Sequence, residues 1–323
     1  MTATTMLHVD DAFGAVLQDL GRYGRESSGI GRNGAADLFS HRAANRLVGN
    51  PDSAATIEVT GNSLVLTPEH DVVLAVTGAR ARVTLAGEVD VDQWRPLAVP
   101  AGTEVRVDEP TSGLRTYIAV RGGIEAPERF GSASPISFWG FANTVSAGQD
   151  LTVGSGAGGG CRPIDPVAVE RGSGMPQLQA YLDHHLGPAP LISVVRGPQE
   201  RMFGDMHKLY AETYTMNGNS NEIGSRFDGD TPVRTDSTEI LSRSIPIGSV
   251  EIPSSGEVIV LLRGRSLTAG YPIPAVVTKA DVNRIAQIAP GNGIRFREVS
   301  IDDARGELLR QEAVLGEIAR SLG

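Results

Sequence analysis

Between Ser63 and Val120 the chain repeats a short theme: a run rich in Val and Leu, then Gly, Pro or Asp, then another run. The runs are Ser63–Leu66, Asp71–Val76, Arg82–Leu85, Glu104–Val107 and Leu114–Val120. Such side chains fit a pleated, half-buried surface and the residues between them supply turns, so the spacing predicts an antiparallel β-domain, a barrel or a sandwich. Two runs end in glycine, at Thr77-Gly78-Ala79 and Arg121-Gly122-Gly123. A tight turn, a bulge or a closely approaching ligand would each call for a residue without a side chain there. Further strands are expected at Leu191–Val195, Val258–Leu262 and Gly293–Glu298.

A helix precedes this region. Leu38, Phe39, Ala43 and Leu47 recur at three- and four-residue steps, on one face of a helix over Ala35–Val48 that Gly49-Asn50-Pro51 ends. Asp37 in its first turn and Asn45 in its last are poor choices for propensity; Asp37 reads as a carboxylate at the positive end of the macrodipole or as a site residue. Upstream, Gln18, Asp19 and Arg22 crowd together, punctuated by Gly21 and Gly24. They read either as a bend held by side chains bonding backbone or as the lining of a site. The turn Gly29-Ile30-Gly31-Arg32-Asn33-Gly34 spells G-x-G-x-x-G, but no apolar strand precedes it, so a dinucleotide fingerprint is set aside. The helix start that follows remains a candidate anion holder.

A second helix is expected over Ala280–Ile288, with Asp281 near its start, and a terminal amphipathic helix after Ser300-Ile301-Asp302-Asp303, with Leu308, Leu309, Val314, Leu315 and Ile318 on its apolar face. A length of 323 residues accommodates two domains with cores of their own. The boundaries read as 1–153, a linker over 154–188, and 189–323, because Gly154-Ser155-Gly156-Ala157-Gly158-Gly159-Gly160, with Pro163 and Pro166, favours a flexible or surface-laid connection. His184 and His185, adjacent on a short helix, would point about 100° apart, and Cys161 has no second thiol. No metal site and no internal disulfide are expected.

The chain carries a net charge of −9 and only 5% aromatic residues, without the basic stripe and stacking platforms that nucleic acid requires. No apolar run approaches the roughly 18 residues of a membrane span, and the N-terminus lacks a secretory pattern, so a cytoplasmic location is expected. There is no G-x-S-x-G elbow, H-E-x-x-H, phosphate loop or cysteine pair to support familiar acyl-transfer, zinc or NTPase mechanisms.

Four blocks at the start are more specific. They are Q-D-x-G-R (Gln18, Asp19, Gly21, Arg22), G-x-x-x-x-G-A-x-D (Gly29, Gly34, Asp37), A-N-x-L-V-G-N (Ala44, Asn45, Leu47, Gly49, Asn50) and an Ile-Glu pair ending at Glu58. In this order and spacing they resemble the family called allophanate hydrolase subunit 2, which includes the biotin-dependent carboxyltransferase domain of urea amidolyase and the C component of bacterial ATP-dependent 5-oxoprolinase. The resemblance runs from about residue 13 to 299. Arg115 to Ile124 is similar to the family's R-x-Y-L-A-V-x-G-G-I, and Ser220 to Gly229 to its S-x-R-x-G-x-R-L-x-G, with Glu222 where arginine is usual. Leu241 to Gly256 keeps the skeleton of S-E-G-x-x-P-G-x-I-Q-x-P-x-x-G, with Glu251 in place of glutamine. Gly270, Tyr271 and Pro272 match the end of D-x-Q-T-x-G-G-Y-P, but Gly264, Ser266 and Leu267 replace its acid, amide and hydroxyl. Gly131-Ser132-Ala133-Ser134-Pro135 stands for the family's G-S-R-S-T.

The resemblance implies a mainly β protein with a few helices, made of two cyclophilin-like β-barrel domains, working beside allophanate hydrolase subunit 1 or the B component of 5-oxoprolinase. It implies an ATP-dependent complex that opens a small amide. In that reading Arg22 and Arg226 are anion clamps, Asp19 or Glu58 the acid/base, Gln18 and Asn45 amide readers, and Thr268 and Tyr271 further substrate-binding residues. Two rivals remain: carboxyl transfer from carboxybiotin on a partner chain, and a non-catalytic regulatory subunit resembling the antagonist of a histidine-kinase inhibitor.

Overall fold

The computed structural model describes residues 5–154, 178, 182 and 190–321. The expected linker, with Cys161, His184 and His185, lies outside them apart from Gly154, Leu178 and Leu182. The described chain forms two compact units, one of residues 5–22, 37–154 and 313–321, the other of 23–36 and 190–312.

The first unit is built on β1 (Thr5–Ala12), β2 (Ala15–Gln18), β3 (Thr56–Thr60), β4 (Leu64–Pro68), β5 (Val72–Arg80), β6 (Val83–Leu85), β7 (Val89–Val91), β8 (Leu97–Val99), β9 (Val105–Val107), β10 (Ser112–Val120), β11 (Thr144–Val145) and β12 (Asp150–Val153). They form two six-stranded sheets, β12-β1-β4-β9-β6-β7 and β11-β2-β3-β10-β5-β8. Side chains from both sheets, among them Leu7, Val9, Leu17, Ile57, Leu66, Leu74 and Ile118, share one core. Helix α1 (Leu38–Leu47) packs on β5 and β10. Consequently β10 is buried on both faces: Ile118 and Val120 enter the core, while Tyr117 meets the ring of His41 on α1 edge-on. Gly78, at φ 89°, sits where the β5–β10 register shifts, and a Cβ there would lie 2.2 Å from the Arg115 carbonyl oxygen, so the glycine serves a bulge.

α1 starts later than its apolar spacing predicts because Asp37 is its N-cap. The backbone of Asp37 is extended and its carboxylate accepts the Ser40 N–H at 3.1 Å and the Ser40 hydroxyl at 2.6 Å. That same carboxylate fills the helix start, which corrects the expectation that an external anion is held there.

The second unit contains β13 (Leu191–Arg196), β14 (Tyr214–Met216), β15 (Gly224–Asp228), β16 (Arg243–Ser244), β17 (Ser249–Glu251), β18 (Val258–Leu261), β19 (Thr268–Ala269), β20 (Ala275–Val277) and β21 (Gly293–Glu298), with α2 (His207–Ala211), α3 (Val282–Ile285) and most of α4 (Ile301–Ser321). Seven of the strands close a barrel in the order β13-β20-β17-β18-β15-β14-β21, shut by the parallel β13–β21 pair. Strand alternation sorts the side chains. Val250, Val258, Val260 and Phe227 fill the barrel, whereas Ile259 and Leu261 face outward and cluster with Ile245 and Ile273. The β16–β19 ribbon brings 243–244 beside 268–269.

The helix expected over 280–288 is α-helical only over α3: the Gln287 and Ile288 N–H groups bond three residues back rather than four, and Pro290 lies ahead. At α4 the capping signal is present, Ser300 and Asp303 each bonding the other's backbone N–H through its side chain. Leu315 and Ile318 are buried, but Leu309 stays exposed.

Candidate functional site

The residues singled out in the sequence fall into three places. Asp19 and Arg22 form the first. The Asp19 carboxylate accepts from the Ser132 and Ser134 hydroxyls at 2.6 and 2.7 Å and from the backbone N–H groups of Ala133 and Gly21, both at 2.8 Å. Burial alone would raise its pKa, but these four donors outweigh burial and hold it below the usual carboxylate value. Arg22, 1% exposed, donates to the carbonyls of Arg129, Ser132 and Ser134. The pair therefore fixes the Ser132–Ser134 segment, by its backbone and by its two serine hydroxyls. Gln18, half-buried at the end of β2, keeps a buried Oε1 without a partner among the described residues.

Glu58 and Asn45 belong to buried networks nearer α1. The Tyr117 hydroxyl donates to Glu58 at 2.8 Å and accepts the Asp37 N–H at 2.8 Å, and the Arg115 guanidinium lies 3.7 Å from the other Glu58 oxygen. Burial, then the charges of Glu58 and Asp37, drive the Tyr117 pKa well up, so it remains a neutral donor. Asn45 donates to the Ala54 carbonyl at 2.8 Å and accepts from Asn50, which itself bonds the Val120 carbonyl and the Gly122 N–H. These amides stitch the C-terminal end of α1 to the end of β10.

Arg226, Thr268 and Tyr271 come together. They line a pocket of about 510 Å³ on the outer face of the barrel, with Asn221, Ile223, Ile245, Glu251, Ile259 and Ser266 among its other walls. Register explains the convergence: Arg226 on β15 and Glu251 on β17 are both paired with Ile259 on the intervening β18, so all three project from the same face. The Arg226 guanidinium bonds Glu257 at 2.5 Å. Glu251 is 3% exposed and its Oε1 has no partner among the described residues. Burial raises its pKa to about 7, against the opposing pull of Arg226. Tyr271 is half exposed. The 29–34 turn reaches the loop that carries this rim: Gly31 lies against the Arg265 carbonyl, and Arg32 adds to the burial that lowers the pKa of Arg265.

With this geometry in view, the family is decided by a match of residues 28–298 to the model of the carboxyltransferase domain, subdomain A and B. The chain belongs to that family. Relatives of this chain include the C component of 5-oxoprolinase from Haemophilus influenzae, 31% identical over 95% of both chains, and that from Escherichia coli, 32% identical over 89% of both. Urea amidolyase of Saccharomyces cerevisiae is 29% identical over 90% of this chain and 16% of its own length. Among solved structures, the Kluyveromyces lactis urea amidolyase superposes with a TM-score of 0.84 at 23% identity, over 98% of this chain and 20% of that one. At that identity the likeness is one of fold.

Of the departures from the family pattern, Ser266 lines the pocket, and Gly264 lies where a Cβ would meet the Glu222 carbonyl at 2.7 Å. Glu222 itself is exposed. The sequence marks Glu251 only as a replaced glutamine and gives no sign that it lines a pocket; the inward–outward phase of β17, with Val250 inside the barrel, was the available signal.

Proposed function

We propose that the chain is a subunit of an ATP-dependent amide-opening enzyme of the 5-oxoprolinase kind, acting in the cytoplasm with a partner resembling the B component of 5-oxoprolinase or allophanate hydrolase subunit 1. The observation that carries this reading is the end-to-end match to the 5-oxoprolinase C component, which takes up 95% of each chain, whereas the match to yeast urea amidolyase takes up 16% of the larger protein. The barrel pocket supports the same chemistry. An amide is a poor electrophile, and ATP would supply a phosphoryl group to activate its oxygen. This chain's part is binding and orientation: the Arg226 fork faces developing negative charge, Thr268 and Tyr271 offer hydroxyls at the rim, and Ile223, Ile245 and Ile259 exclude water. Asp37 already occupies the start of α1, so nucleotide binding is assigned to the partner.

The family description and the urea amidolyase relatives favour a second reading, carboxyl transfer from a carboxybiotin borne by a partner chain. Co-purification with the sister subunit, followed by ATP turnover with 5-oxoproline, urea, allophanate or carboxybiotin, separates the two. Consumption of ATP that requires 5-oxoproline is the expected result. Dependence on biotin would transfer the assignment to the second reading, and tight partner binding without turnover would mark a regulatory subunit.

A further inference from the structure

Glu251 and Arg226 leave the barrel pocket with an unsatisfied acceptor on one side of Ile259 and an incompletely used donor on the other. The two are separated by one strand, so their backbones lie roughly 10 Å apart, and their long side chains flank the apolar surface of Ile259. Among the described residues Glu257 is the one side-chain partner of Arg226, and the buried Oε1 of Glu251 has no hydrogen-bond partner. A buried carboxyl in that condition is costly unless something donates to it. A ligand that offers only acceptors, such as a phosphate, would meet repulsion at Glu251, and a purely cationic ligand would meet it at Arg226. The pocket is complementary to a small molecule that carries both kinds of group.

We propose that this pocket binds a small amide or ureido ligand edge-on, its N–H donating to Glu251 and its carbonyl or carboxylate oxygen accepting from Arg226. The choice of a cyclic amide as probe rests on the amide-opening reading; the donor and acceptor assignment rests on the pocket alone. Glu251 accepts the N–H when ionised. Burial places its pKa near 7, with Arg226 on β15 opposing and Glu257 bound to Arg226 behind it, so the receptive form grows between pH 6 and 8. Tyr271 is the remaining titratable side chain in the lining.

The test titrates the full chain, and its Glu251→Gln variant, with 5-oxoproline and with N-methyl-5-oxoproline at pH 6 and pH 8, following binding by calorimetry or ligand NMR. The ionised fraction rises from about one-tenth to about nine-tenths over that range, so 5-oxoproline should bind about tenfold tighter at pH 8. The N-methyl compound should bind at least tenfold more weakly at pH 8, in keeping with the loss of a charge-assisted hydrogen bond. In Glu251→Gln, which preserves shape and an acceptor oxygen, the pH dependence should vanish, with a thermal melt to verify folding. Equal affinity for the two lactams, a flat wild-type profile, a pH-dependent variant, or no binding of either lactam would overturn the proposal. Lactam binding of the expected kind without ATP turnover in the complex would remove the amide-opening reading and leave this one standing. Turnover in a complex whose chain shows no N–H preference would do the reverse.

Discussion

Replacing Asp19 by Ala removes, in one step, the acceptor for two hydroxyls and two backbone N–H groups, and takes the nearby negative charge from buried Arg22. Unsatisfied buried donors cost about 1–3 kcal/mol each and an uncompensated charge more, so Asp19→Ala should lose at least about 3 kcal/mol. The shift of the urea unfolding midpoint measures it, and an unchanged midpoint would refute the structural assignment. Gly264 is constrained differently. An added Cβ would lie 2.7 Å from the Glu222 carbonyl, which is backbone and cannot swing aside. Gly264→Ala, and restoration of the family's acid by Gly264→Asp, should each destabilise by about 1–3 kcal/mol.

Among the elements, α1 depends on its cap. Asp37→Ala should cost about 1–2 kcal/mol, read as a drop of a few degrees in the melting temperature. This helix, β4, β5, β6, β9 and β10 of the 63–120 region, and β13, β18 and β21 were legible from periodicity, because each contrasts clearly with the turn residues around it, whereas the three-residue β7 and β8 in the same region were not. β1 was not: its fully buried residues are only Leu7 and Val9, alternating with His8 and Asp10, and a run with two such positions barely departs from loop composition. The roles within the early cluster were not legible either. Gln18-Asp19-Leu20-Gly21-Arg22 fits a clamp as well as a site, and the clamp's other half, Ser132 to Ser134, lies more than a hundred residues away. Of the pocket lining, Arg226, Thr268 and Tyr271 were singled out in the sequence, but the place of Glu251 beside them was not, since Arg226, Glu251 and Ile259 meet through register across three strands rather than through spacing along one.

At the scale of the molecule, two buried titratable groups drive the units in opposite directions as pH changes. His41, fully buried and bonded to Thr56 and the Asp52 carbonyl, has its pKa lowered to about 4 by burial. Its contribution to the first unit is therefore present above its unfolded value of 6.5 and is lost as pH falls towards 4. Glu251 is raised from 4.5 to about 7, so its contribution to the second unit is present below 4.5 and is lost as pH rises through 7. Calorimetry between pH 4.5 and 6.5 should show the first unit gaining stability from His41 while the second loses it from Glu251. Glu251→Gln should raise the melting temperature at pH 8, where the ionised form costs up to about 3 kcal/mol, and leave it unchanged at pH 4.5. A variant that melts like the wild type at pH 8 would contradict the burial of an unpaired carboxyl.

The most direct test of the account as a whole is the rate of 5-oxoproline-dependent ATP consumption by the complex reconstituted with wild-type chain or with Arg226→Ala. Because the Arg226–Glu257 pair is partly exposed and worth at most about 1 kcal/mol to stability, the variant should stay folded. Its turnover should fall at least tenfold, as expected when a charged ligand contact is removed. Undiminished turnover with Arg226→Ala would contradict the claim that this barrel pocket is where the amide is bound.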